Sequence, residues 1–178
     1  MLFISYALLT NYILYAQSTS DEYQVKAAFL YHFAQLVTWP AGIGNDPSKP
    51  FLLCTVGQDP FKGKLESTIH GKQVNSQRIQ IRHVEPANMR DCTMVFVGQN
   101  NDAQLRVLLA ALGNAPVLTV GEGEGFLESG GMIQFLIERN RIRFAINRGA
   151  AEAAKLTISS QLLLLARNVI ESPKAGRK

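Results

Sequence analysis

From residue 22 onward the apolar positions follow two rhythms, one helical and one alternating. Val25, Phe29, Phe33 and Leu36 fall at helical spacing, which predicts a helix over 22–37 with these four side chains on its buried face. Asp21 stands where a cap for that helix belongs, and Trp39-Pro40 ends it, because the residue before proline avoids the helical region. Phe51-Leu52-Leu53-Cys54-Thr55-Val56 is apolar at nearly every position and predicts a strand buried on both faces. Pro60 to Ile69 predicts a helix, with Pro60 in its first turn and Gly71 just past its end. Residues 78–84 alternate as a half-buried strand, and 93–97 form another apolar strand. Asp102 to Leu112 places Leu105, Leu108, Leu109 and Leu112 on one helical face, with Gly113 at its end. Pro116 to Val120 predicts a strand. Met132 to Ile137 and Arg141 to Ile146 predict a hairpin across Glu138-Arg139-Asn140. Ile158 to Ile170, carrying Leu162 to Leu165, predicts a final helix.

Strands that alternate with helices and then give way to a hairpin predict an α/β layered domain. Its sheet is mostly parallel, flanked by helices, with an antiparallel C-terminal hairpin. No linker of domain-separating length occurs, so 21–172 is expected to form one domain, followed by a basic tail at 173–178. Gly121-Glu122-Gly123-Glu124-Gly125 reads as a loop within it.

Residues 1–20 carry no Lys, Arg, Asp or Glu, and 2–16 are mostly apolar before the chain turns polar at Gln17-Ser18-Thr19-Ser20. That stretch is short for a membrane span, which takes about 20 apolar residues. It suits a secretory signal peptide, with Ala16 as the small residue before cleavage. An uncleaved N-terminal anchor, or a start codon assigned too late, is the alternative. On the signal-peptide reading the protein is periplasmic and no membrane-inserted segment remains after cleavage.

The charge balance, 18 Lys+Arg against 14 Asp+Glu, leaves only +4. No basic run interleaved with aromatics accompanies it, which argues against a nucleic-acid partner. Cys54, Cys92, His32, His70 and His83 are too scattered for a zinc cluster. No GxSxG, HExxH, GxGxxG or GxxxxGK[ST] motif occurs, so no catalytic residue, metal or cofactor is assigned. His32 lies beside the apolar face of the first helix and reads as a packed histidine; His70 and His83 sit at element ends, in solvent.

Three groups of residues remain as candidates. Cys54 lies in one apolar strand and Cys92 directly precedes another. In an oxidising compartment a disulfide between neighbouring strands is expected; two buried free thiols are the alternative. Three strands end alike, at Gly57-Gln58, Gly98-Gln99 and Gly121-Glu122. Such an edge could form a small-ligand crevice beyond the carboxyl ends of parallel strands. Equally, each glycine could simply make a turn. Arg141 and Arg143 share one strand face, opposite Ile142 and Phe144, and offer either a solvated face or a docking surface for an acidic partner.

A further set of residues runs in order along 22–170. It comprises Glu22 with Val25-Lys26-Ala27-Ala28-Phe29-Leu30-Tyr31, Trp39-Pro40, Cys54 with Gly57 and Asp59-Pro60-Phe61, and Cys92 before Phe96-Val97. Then follow Val117-Leu118-Thr119-Val120-Gly121, Phe126, Gly130-Gly131-Met132-Ile133, Arg143-Phe144-Ala145-Ile146-Asn147 and Ser159-Ser160-Gln161-Leu162-Leu163. In this order the chain resembles the YfiR family of exported proteins. The resemblance implies a periplasmic α/β protein without catalysis, dimeric, that represses an inner-membrane diguanylate cyclase by binding its periplasmic domain and so lowers cyclic di-GMP. The family's cysteine pair matches Cys54 and Cys92; a second pair that some members carry is missing here. The rival readings are a periplasmic small-ligand module using the glycine edge, and an unrecognised enzyme.

Overall fold

The structure, a computed structural model, describes residues 22–98 and 102–171. The expected signal peptide, Asp21, Gln99 and the tail at 173–178 lie outside the described residues.

Helix α1 covers 22–36 and runs into a two-residue strand β1, Val37–Thr38. Its buried stripe is Lys26, Ala27, Leu30, Phe33 and Ala34. The expected face is therefore rotated: Phe33 is in the core, Phe29 and Leu36 are half-buried, and Val25 is 44% exposed. The rotation places a lysine where an apolar residue was expected, and Val25 outside.

The main sheet has eight strands in the order β10-β8-β7-β6-β5-β2-β4-β3. Its centre is parallel: β4 (Gln77–His83), β2 (Phe51–Val56), β5 (Met94–Val97), β6 (Leu118–Glu122) and β7 (Ile133–Glu138) pair in turn. Antiparallel pairs close both sides, β3 (Gln73–Val74) on β4 and β8 (Arg141–Asn147) on β7. β1 pairs separately with β9, Thr157–Ile158. This is the expected class, a mostly parallel sheet flanked by helices with antiparallel strand pairs.

Alternation along each strand divides the core between two layers. Met94 and Phe96 of β5 join α1, α2 (Lys64–Ile69), α4 (Arg148–Ala153) and α5 (Ser160–Leu165) on one face. Val95 and Val97 join α3 (Asp102–Leu112) and the 3-10 turn Pro86–Asp91 on the other. Phe33 is the hub of the first layer, edge-on to Phe144 at 5.0 Å. Trp39 leaves α1 to pack on Phe51 at 5.2 Å, and its Nε1 donates to the Thr93 carbonyl.

Two expected helices are shorter than their patterns. The first begins at Lys64, a turn later than Pro60. The Asp59 carboxylate accepts the Phe61 N–H, and Lys62 and Gly63 take left-handed φ values of 50° and 82°. That turn keeps the chain out of the helix and drives Phe61 into the core against Phe96. The second correction is larger. The expected helix over 158–170 is only α5, capped by the Ser159 hydroxyl, which accepts from the Leu162 N–H. Ala166 turns extended, and β10 (Val169–Ile170) then adds to the sheet beside β8. The Arg167 N–H donates to the Phe144 carbonyl at 2.8 Å, and the Ile146 N–H to that of Asn168 at 2.9 Å. The open edge of β8 offers unpaired backbone groups, and satisfying them outweighs continuing the helix over 166–170. Of the leucine run only Leu162 is buried; Leu164 and Leu165 face outward.

Cys54 and Cys92 form a disulfide, with Cα atoms 6.1 Å apart. Cys54 lies on β2, and Cys92 closes the 3-10 turn that leads into the adjacent strand β5.

Candidate functional site

The β7–β8 hairpin turns on Arg139 and Asn140, whose φ values of 49° and 60° are those of a two-residue turn matching the twist of its strands. Beyond the turn, alternation sends Phe144 and Ile146 into the core and leaves Arg141 and Arg143 exposed. Arg141 stands opposite Glu138 across the ladder and Arg143 opposite Leu136. The chain that leads into β10 adds Arg167, whose Nε lies 3.0 and 3.1 Å from the two Glu138 carboxylate oxygens. Glu138, Arg139, Arg141, Arg143 and Arg167 together line an open groove of about 810 Å³. Among the described residues, Arg139, Arg141 and Arg143 make no ion pair. One carboxylate thus faces four guanidinium groups, and three of these are available to an acidic ligand. Arg141 and Arg143 were legible from sequence; Arg167 was not, because it was assigned to a helix.

The three glycine-terminated strands β2, β5 and β6 are neighbours, so Gly57, Gly98 and Gly121 share one sheet edge. Gly57 and Gln58 are exposed. The other two glycines have packing reasons. A Cβ on Gly98 would lie 1.9 Å from the Gln58 carbonyl oxygen, and one on Gly121 would lie 2.3 Å from the Phe126 ring. Phe126 fills the space beside Gly121 and also meets Gly131.

Glu122, at the same edge, belongs to a charged cluster that the sequence did not announce. The ammonium of Lys26, only 2% exposed as a residue, contacts Glu22 one turn earlier at 2.5 Å and also contacts Glu122. The Tyr23 hydroxyl donates to Glu122 at 2.9 Å, and the Lys26 ammonium lies 4.4 Å from the Tyr23 ring centroid. These residues, with Gly123, Glu124 and the β7 stretch 134–137, surround a cavity of about 410 Å³. Burial, and then the hydrogen bond to Glu122, raise the Tyr23 phenol well above its ordinary value. A raised acid contributes stability that is complete below the unfolded pKa, about 10, and is lost as pH rises beyond it. Tyr23→Phe should therefore flatten the decline of the urea midpoint between about pH 9 and pH 11. An unchanged alkaline slope would count against this role.

The three histidines lie outside both charged groups. His32 is exposed rather than packed, a consequence of the rotated helix face. His70 is exposed as well, and His83, also exposed, shares a 3.0 Å hydrogen bond with the Thr55 hydroxyl. Among the described residues, no group of three or more His, Cys, Asp or Glu could hold a metal ion, and no helix is long and apolar enough to cross a membrane.

Residues 23–167 match a protein family described as YfiR/HmsC-like. The chain belongs to that family. YfiR/HmsC-like proteins are regulatory rather than catalytic, and membership is consistent with a periplasmic regulator of a diguanylate cyclase. No curated protein matches the chain. Among solved structures it is similar to a conserved domain protein from Vibrio cholerae, at 11% identity and a TM-score of 0.50 over 67% of this chain and 54% of that one. It is also similar to the ABC domain in complex with L-tryptophan from Streptococcus pneumoniae, at 11% identity and a TM-score of 0.48 over 71% of this chain and 57% of that one. The chain thus spans little more than half the length of these structures, and the first likeness concerns the α/β fold alone.

Proposed function

We propose that this YfiR/HmsC-like protein is exported to the periplasm and represses an inner-membrane diguanylate cyclase by docking onto its periplasmic domain. Residues 1–20 serve as the signal peptide, and 21–172 act as one folded unit, paired with a second copy. The family match over 23–167 supports the regulatory role. The observation that carries the docking surface is the arginine groove, in which Arg139, Arg141 and Arg143 have no ion-pair partner among the described residues.

Guanidinium groups keep their charge at any working pH and present planar forks to carboxylates. Their complement is an acidic face on the partner. Docking then favours one conformation of the cyclase, by no more than the difference in affinity between its two states. Tenfold repression requires a difference of about 1.4 kcal/mol.

The test is Arg141→Glu together with Arg143→Glu. Both side chains are exposed, so the loss of stability should stay within about 1 kcal/mol, most of it from the like-charge pair that Arg141→Glu makes with Glu138 across the ladder. The variant should lose binding to the isolated periplasmic domain of the cyclase, and cyclic di-GMP in cells should rise to the level seen without the repressor. A variant that melts like the wild type and still represses fully would refute the placement of the interface.

A further inference from the structure

The groove at the β7–β8 hairpin has the size of a small-molecule site and the lining of an anion site. Its volume of about 810 Å³ falls within the range of about 300–1,000 Å³ typical of ligand pockets. Most such pockets are apolar, but every residue lining this one is charged, so it selects by charge. Four guanidinium groups against the single carboxylate of Glu138 leave an excess of three positive charges. The Glu138 oxygens lie 3.0 and 3.1 Å from the Arg167 Nε, and Arg139, Arg141 and Arg143 form no ion pair among the described residues. All four arginines stand on backbone that is already fixed. Arg141 and Arg143 lie about 7 Å apart along β8. The Arg167 N–H donates to the Phe144 carbonyl at 2.8 Å, which holds Arg167 on the segment next to Arg143. Arg139 belongs to the turn between β7 and β8. Like charges gathered on rigid elements repel one another, and a bound anion relieves that repulsion.

We infer that this groove binds a small free anion carrying two or more carboxylate or phosphate groups. A singly charged anion meets one guanidinium in open water, where an ion pair contributes little. Anionic groups joined in one molecule engage several arginines at once, and the second contact costs less than the first. Each guanidinium fork matches a carboxylate or a phosphate with two parallel hydrogen bonds. Glu138 already plays the part of one such group, because its carboxylate is held by Arg167. Binding does not depend on any cyclase. Its regulatory consequence rests on the docking reading: the free anion and the acidic face of the cyclase domain compete for Arg141 and Arg143, so the anion is the ligand that lifts repression.

The test is isothermal titration calorimetry of the purified protein with inorganic pyrophosphate, with citrate and with acetate, at a constant ionic strength of about 0.15 M. Pyrophosphate or citrate should bind saturably, with a Kd below about 1 mM and at least about tenfold more tightly than acetate. The tighter of the two shows whether phosphate or carboxylate is the preferred group. Arg141→Gln with Arg143→Gln should weaken binding by about 5-fold to 25-fold, since a guanidinium at an exposed site is worth up to about fivefold. Glu138→Gln should tighten it by up to about fivefold, because Arg167 is freed and the groove loses its own carboxylate. A gain in affinity cannot arise from misfolding, so this variant keeps the test decisive even if the arginine variant is unstable. Binding that does not saturate, or an affinity that neither variant alters, would overturn the inference. Docking to the isolated periplasmic domain of the cyclase is scored separately. There the better anion, at about ten times its Kd, should weaken docking about tenfold. Docking that the bound anion leaves unchanged would overturn the competition but not the docking reading, whereas a protein that binds the anion and no cyclase domain would refute docking alone.

Discussion

Lys26→Ala should destabilise the protein by about 3 kcal/mol, a large loss for a single exchange. The Lys26 side chain retains 3% exposure and lies between two carboxylates, with Glu22 25% exposed and Glu122 17% exposed. Removing one member of a buried ion pair strands the other charges and typically costs about 3–5 kcal/mol. The partial exposure of both glutamates puts the expected value at the lower end. Replacing the pair together, Lys26→Met with Glu122→Gln, should recover most of the loss, because an uncharged pair of similar volume leaves only Glu22, which water can reach. Urea unfolding of Lys26→Met, of Glu122→Gln and of the two combined gives a double-mutant cycle. Additive effects, or a Lys26→Ala protein as stable as the wild type, would show that the cluster does not act as a unit. The cluster matters for the architecture because it ties the first turn of α1 to the end of β6, 96 residues away in the chain.

Loss of the Cys54–Cys92 bridge should lower stability by about 2–4 kcal/mol. The cysteines are separated by 38 residues, for which chain entropy alone gives about 4 kcal/mol, an upper figure because a denatured chain retains some structure. Cys54 is fully buried and Cys92 is 5% exposed, so reductant should act only on protein that opens. Thiol titration should find none in unfolded, unreduced protein and two after reduction. Cys92→Ser should fold but melt earlier. A variant with unchanged stability would mean that the pairing of β2 with β5 suffices without the bridge.

The two charged regions differ in kind. Glu22, Lys26 and Glu122 are turned inward and satisfy one another, so they serve the fold. Arg139, Arg141 and Arg143 are turned outward and form no ion pair among the described residues.

Much of the fold could be read from the sequence, because strand and helix periodicity and the placement of glycine and proline are local properties of the chain. β2, β5, α3 and the β7–β8 hairpin fall where the apolar rhythm puts them. The exposure of Arg141 and Arg143 likewise follows from alternation against Phe144 and Ile146. The cysteine pairing was accessible because both residues adjoin apolar strands. Other features were decided only when distant segments met. A lysine scores as polar in any pattern, and Lys26 becomes a core residue only because β6 delivers Glu122 to it. A leucine run from 162 to 165 reads as helix, yet the chain leaves that helix at Ala166 because the edge of β8 has backbone groups to satisfy. The same exchange brings Arg167 to the hairpin and leaves Leu164 and Leu165 in the open. Gly121 announces a turn in the sequence; in the structure it makes room for Phe126. Local periodicity therefore determined which segments are strands and helices, whereas long-range pairing of charges and backbone groups decided which side chains each segment buries and which it presents.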